Sequence, residues 1–310
     1  MFGVGLSILP GLALCIILGA NNLSTCLGTS VGSHALSYPK ALTLASIGVF
    51  AGILLEGQKL SHAITSGVVL SSDPRLLFAV ATSTLIVMIG LTYLELPISL
   101  SQVVVGAVIG SAIALGIRVS WDFAILVGSS WILTPLVGFS IALALSFVTR
   151  HVALRAKRLL TLQLVYGYLT VISGVYASYA LGANTVGLII GMVSSETQQL
   201  SVSFLLGVAT VLGMLLFSKG TTRSVAENII GLSPSASFAS QIAGAITVHG
   251  FTQFGIPVSI SQSVLGGIFG AAIPRKLVVR NDRLTREIVL GWTAAPILGG
   301  ALGFVIALVL

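Results

Sequence analysis

Charge is scarce in this chain. Only 7% of its 310 residues are Asp, Glu, Lys or Arg, against roughly 25% in an ordinary soluble domain, and so few charges cannot cover a water-facing surface. Cysteine is nearly absent as well. Cys15 and Cys26 are the only two; both fall in the first apolar region without a CxxC pair or metal-ligand spacing, so they read as packing residues. Also missing is the alternation of apolar and polar residues over segments of about 10 that marks a membrane β-barrel; Phe123 to Leu145 has no such period. The first 20 residues lack the basic start of a cleaved signal and are expected to remain as a helix. What the chain has instead is apolar length. Hydrophobic residues make up 55% and mean hydropathy is +1.08. Runs near 3–20, 41–56, 76–95, 103–117, 123–149, 202–217 and 288–310 suit bilayer-crossing helices, which need about 20 residues. The expected fold class is therefore all-α, a polytopic integral membrane protein surrounded by lipid. Its net charge of +7 sits in short links between apolar runs, which fits membrane orientation and not nucleic-acid binding.

The chain also matches itself. Gly19-Ala20-Asn21 returns as Gly182-Ala183-Asn184, and Leu96 to Gln102 returns as Ile256 to Gln262. Gly106 and Gly110 return as Gly266 and Gly270, and Trp131 with Pro135 as Trp292 with Pro296. The order is constant and the offset stays between 160 and 163 residues. Two related halves are expected, 1–150 and 161–310, joined by a basic cytoplasmic linker at 151–160. If each Gly-Ala-Asn breaks one long span, and each Pro-x-Ser turn joins the two arms of a re-entrant hairpin, each half crosses the membrane three times and the second is inverted. The basic residues favour that parity. It places Lys40, Arg150, Arg155, Lys157, Arg158, Lys219, Arg223, Arg275, Lys276, Arg280, Arg283 and Arg286 in the cytoplasm and leaves Lys59, Arg75 and Arg118 outside, in line with the cytoplasmic excess of Lys and Arg. Both chain ends then lie outside, and with no organellar targeting segment apparent the cell membrane is the expected location.

Chemistry is expected where polar residues interrupt these helices. Asn21 and Asn22, and Asn184 and Thr185, follow a helix-weakening glycine, and the backbone groups freed by a break at that depth are tolerated only in buried protein or at a cavity. The turns at Pro97 and Pro257 place Ser99, Ser101 and Gln102, and Ser259, Ser261 and Gln262, at the start of an apolar arm. A helix N-terminus with neutral donors favours an anion, and two such ends would surround a tetrahedral oxyanion. Simple capping of a hairpin, or a close helix contact at a small residue, is the bland alternative. Glu95 and Glu196 are coupling-ion candidates, although Glu95 could equally snorkel from an arm end. Glu56, Lys59 and His62 form one polar stripe at i+3 spacing, read as a satisfied pair or as a proton or substrate element. His34 and His249 are expected at interfaces or helix ends, and the basic clusters at 150–158 and 275–286 in solvated loops. No nucleophile–base or metal constellation recurs, so a carrier is expected rather than an enzyme. A channel-like or purely structural membrane protein is the competing class.

These motifs resemble the inorganic phosphate transporter (PiT) family of sodium- or proton-coupled permeases, over nearly the whole chain. The likeness lies at 19–30, 97–110, 182–191 and 257–270, with further pieces at Gly57 to Gly67, Trp131 to Pro135, and Gly231-Leu232-Ser233-Pro234-Ser235. It implies inverted repeats, a central oxyanion site, a homodimer, no cofactor, and phosphate symport with sodium or a proton by alternating access. The chain departs from the family pattern in two ways. Asn22 and Thr185 stand where the family has aspartate after Gly-Ala-Asn, and Leu100-Ser101-Gln102 and Ile260-Ser261-Gln262 stand where it has Thr-Thr-His. Loss of two carboxylates removes charge that would neutralise sodium, and it also reduces repulsion of a dianion. Sulfate is therefore the alternative substrate.

Overall fold

The computed structural model describes residues 5–32, 35–93, 99–193, 199–228, 233–275 and 282–310. The described residues fold into helices without a named strand. Helix α1 spans Gly5–Gly32, α2 Tyr38–Glu56, the short α3 Gln58–His62, α4 Pro74–Tyr93, α5 Leu100–Ala114 and α6 Trp121–Arg155. They are followed by α7 Leu159–Leu181, α8 Gly187–Val193, α9 Gln199–Asn228, α10 Pro234–Gln253, α11 Ile260–Ala272 and α12 Asp282–Val309. π-Helical stretches follow α3, at Ala63–Val68, and join α7 to α8, at Gly182–Val186.

Seven described stretches are long and apolar enough to cross a membrane: Ser7–Gly28, Tyr38–Glu56, Pro74–Tyr93, Trp121–Arg155, Leu160–Val193, Leu200–Gly220 and Leu290–Val309. Helices α5 and α11 are not among them. Their 15 and 13 residues give about 20 Å of helix, short of the roughly 30 Å of bilayer hydrocarbon. Polarity runs inside out. Leu9, Leu55, Ile125, Ile132 and Phe217 are exposed on the outer surface, whereas Asn184, Gln241 and Gln262 are wholly buried. Interior hydroxyls close back on their own helices: Ser83, Ser130, Thr134, Thr210 and Thr247 donate to carbonyls three or four residues earlier. That local bond lets a hydroxyl sit in an apolar helix.

The recurring glycines are contact points, and the contacts are reciprocal. A β-carbon at Gly106 of α5 would lie 2.1 Å from the Pro296 carbonyl oxygen of α12, and one at Gly266 of α11 would lie 2.1 Å from the Pro135 carbonyl oxygen of α6. Likewise Gly19 of α1 meets the backbone of Thr210 in α9, and Gly182, at the end of α7, meets Val49 in α2. Helix α5 thus backs onto α12 and α11 onto α6, while α1 backs onto α9 and the end of α7 onto α2. Small residues allow this approach where lipid offers no hydrophobic drive between helices. Gly266→Ala is expected to force α11 off α6 at a cost of about 1–3 kcal/mol, as overpacking does. A thermal melt in detergent unchanged from wild type would contradict the close approach.

The two Gly-Ala-Asn copies differ. The sequence predicts an interruption at both, and one is present at Gly182–Val186. By contrast, α1 continues through Gly19–Asn22, because the Asn22 amide donates to the Leu18 carbonyl of the preceding turn at 3.0 Å and Gly19 serves the contact with α9. Helix α6 separates the basic residues into two poles. Its 35 residues span about 50 Å; Val119 bridges to Val69 ahead of its start, and Arg275 donates to Thr149 near its far end. Arg118 and the 150–158 cluster accordingly lie at opposite ends of one helix.

Candidate functional site

The connection between α10 and α11 gives the fuller picture. Within the π-helical turn, Asn184 donates from Nδ2 to Thr252 Oγ1 at 2.9 Å and to the Ile256 carbonyl at 3.2 Å, and its Oδ1 accepts from the Val258 N–H at 3.1 Å. The side chain is wholly buried. Both amide hydrogens and the amide oxygen are engaged, so Asn184 staples the interrupted helix to the α10–α11 connection rather than presenting a free donor. Thr185 is buried in the same turn.

Ser259 caps α11, accepting from the Gln262 N–H at 3.4 Å through Oγ and from the Ser263 N–H at 3.1 Å through its carbonyl. The capping role considered for this serine is thus present. Ser261 is half-buried on the first turn. Gln262 has no exposed surface, and neither Oε1 nor Nε2 has a hydrogen-bond partner. An unpaired buried amide costs about 1–3 kcal/mol, and such a group in a native protein calls for a ligand, ion or water to complete it.

In the first half Ser99 and Ser101 share a hydroxyl–hydroxyl bond of 3.0 Å, and Gln102 is buried with Oε1 unpartnered. The same unsatisfied glutamine oxygen therefore occurs at both copies. Asn21 and Asn22 are half-buried on α1; the Asn21 carbonyl accepts from Ser24 Oγ at 2.6 Å. Glu95, Pro97 and Glu196 lie outside the described residues, as does His34.

A polar cluster ties α2 and α3 to α10. Glu56 pairs with Lys59 at 3.1 Å and with His249 Nε2 at 2.9 Å, and accepts from Gln253 Nε2 at 2.9 Å. Lys59 also reaches Gln253, and Tyr176 reaches His249 Nδ1. The Glu56–Lys59 pair was legible, but its third member is His249 and not His62, which is exposed and contributes its carbonyl to Ser66. Thr252 and Gln241 were missed. Gln241 donates to the Cys26 carbonyl and accepts from Ser173 at 3.3 Å, joining α10 to α1 and α7; an amide in the middle of an apolar helix was the signal that could have found it. Among the described residues no group of three or more His, Cys, Asp and Glu could hold a metal ion.

Comparison with known proteins agrees with this architecture. The sequence pattern of the phosphate transporter family matches residues 18–303. A protein of Methanocaldococcus jannaschii that carries a provisional phosphate-permease name is 28% identical over 304 residues, covering 98% of this chain and 96% of that one. The sulfate permease CysP of Bacillus subtilis is 24% identical over 306 residues, covering 97% and 86%. Among solved structures, a sodium-dependent phosphate transporter superposes with a TM-score of 0.87 at 19% identity, over 100% of this chain and 99% of that one, a likeness of fold.

Proposed function

Because the chain belongs to the phosphate transporter family, we propose that it carries inorganic phosphate across the membrane by alternating access, in symport with sodium or a proton. The observation that carries this reading is the buried Gln262 at the start of α11, whose Nε2 donor has no partner; the unpartnered Oε1 atoms of Gln262 and Gln102 are acceptors, suited to a protonated oxygen of the anion or to the coupling cation. The tetrahedral oxyanion takes donors from Gln102 and Gln262, from Ser101 and Ser261, and from the first N–H groups of α5 and α11, which favour negative charge. Ser99 and Ser259 shape those first turns. Asn21 lies at the equivalent position to Asn184, which holds the second tip in place. Neutral donors suit an anion here because they bind it without an added charge to desolvate.

The halves 1–150 and 161–310 are inverted repeats, α4–α5 and α10–α11 re-entrant hairpins, and both chain ends lie outside the cell membrane; the shortness of α5 and α11 and the reciprocal glycine contacts support this arrangement. A homodimer follows the family resemblance. The coupling cation would meet amide, hydroxyl and carbonyl oxygens around Asn22 and Thr185, with Glu95 and Glu196 as the carboxylate candidates. Sulfate is the second reading. It is favoured by Asn22 and Thr185 in place of aspartates and by the likeness to a sulfate permease. A structural or channel-like role is tested by the double variant Ser101→Ala, Ser261→Ala in proteoliposomes. Saturable uptake is expected to fall by roughly tenfold or more, as loss of hydrogen bonds to a charged ligand does, with the melting transition intact. Unchanged uptake would remove the serines from the site.

A further inference from the structure

A separate cavity lies at the pole of the basic clusters, where α6, α7 and the start of α10 meet. Its volume is ≈ 290 Å³, and its polar lining comes from Arg150, Gln163, Tyr166, Ser233, Ser235 and Arg275. Arg275 is half-buried. It donates to the Ala271 carbonyl at 2.9 Å, to Ser235 Oγ at 2.8 Å and to Thr149 Oγ1 at 3.4 Å. These bonds tie α11, α10 and α6 together, and they leave two of the five guanidinium donors unused. All three partners are neutral. No carboxylate among the described residues pairs with Arg275 or Arg150. Burial above all, and the like charge of Arg150 as well, push the Arg275 pKa below its usual value, against an opposing pull from Tyr166.

Two guanidinium groups facing one cavity, with no counter-charge among the described residues, make an incomplete arrangement. An anion between them would relieve the repulsion and take up the spare donors. The walls decide which anion. Ala153, Leu162 and Pro234 add an apolar part to the lining, and the adjoining faces of α6 and α7 expose Val148, Val152, Leu160 and Leu164. A hydrated inorganic oxyanion gains little from such surroundings, whereas an amphiphile with a phosphate head and acyl chains matches both parts. We propose that this pocket binds the phosphate group of an anionic phospholipid, whose chains lie along the exposed faces of α6 and α7. Basic pockets between membrane helices suit such headgroups, and Arg155, Lys157 and Arg158 follow Arg150 at and just past the end of α6.

The test is native mass spectrometry of the detergent-purified full chain titrated separately with phosphatidylglycerol, phosphatidylcholine and inorganic phosphate. Arg150→Gln is the variant of choice, because Arg275 also ties helices together and its loss could unfold the protein. Phosphatidylglycerol is expected to be retained by the wild type in preference to phosphatidylcholine, with retention about fivefold weaker in Arg150→Gln, the scale of one basic residue at an anionic headgroup. A circular-dichroism melt establishes that the variant is folded. Equal retention of both lipids, or phosphatidylglycerol retention unchanged by Arg150→Gln, overturns the proposal. Arg150-dependent binding of inorganic phosphate in preference to lipid overturns it too, by making the pocket a second oxyanion site.

Discussion

Gln262→Leu is expected to impair anion uptake strongly while leaving the protein at least as stable as the wild type. The side chain is wholly buried with both polar atoms unpaired, so its amide stabilises nothing in the unliganded fold. Leucine fills a similar volume and removes the unsatisfied group, which should leave stability level or raise it by about 1–3 kcal/mol. Uptake should fall by more than roughly tenfold, because the lost bond is one to a charged ligand. The two readouts move in opposite directions only if the amide exists for a ligand. Thermal unfolding in detergent and uptake by proteoliposomes measure them separately. A destabilised variant that still transports at the wild-type rate would mean that Gln262 has a structural role.

Asn184→Ala should behave in the other way, losing stability and transport together. Three hydrogen bonds join Asn184 to the second tip, and alanine leaves the Val258 N–H and the Ile256 carbonyl without that partner in a buried setting. A cost of about 3 kcal/mol is expected from the lost bonds and stranded groups. The turn that presents Ser259, Ser261 and Gln262 then loses its anchor, so the apparent affinity for the anion should weaken in whatever protein remains folded. Asn184→Asp retains the acceptor for Val258 but turns the donors to Thr252 and Ile256 into acceptors, and it buries a carboxylate; it should not restore transport. A melting transition within error of wild type for Asn184→Ala would show that the staple is dispensable.

The contrast between these two residues indicates how far the sequence could be read. Apolar length and the shortage of charge were enough for a helical membrane protein, since both follow directly from the solvent. The glycines that recur in the sequence sit at matching helix contacts: Gly106 meets Pro296 as Gly266 meets Pro135. Side-chain roles within the repeat were not legible in the same way. Asn21 and Asn184 occupy matching positions, yet α1 passes through its copy while the other copy forms a π-helical turn. The neighbouring Asn22 returns its amide to the local Leu18 carbonyl, whereas Asn184 reaches residues 68 and more positions away. Only the tertiary contacts separate those outcomes. For the same reason His249 was missed as the partner of Glu56: i+3 spacing pointed to His62, while the histidine that makes the contact comes from another helix, 193 residues away.

The most direct test of the account is uptake of labelled phosphate and labelled sulfate by the purified protein in liposomes, under an imposed sodium or proton gradient and with the other anion as competitor. The account predicts saturable phosphate uptake that one of the two gradients drives and that excess sulfate does not suppress. Sulfate uptake insensitive to phosphate would contradict the substrate assignment and make Asn22 and Thr185 marks of a changed specificity, and uptake of neither anion would contradict the transport reading itself.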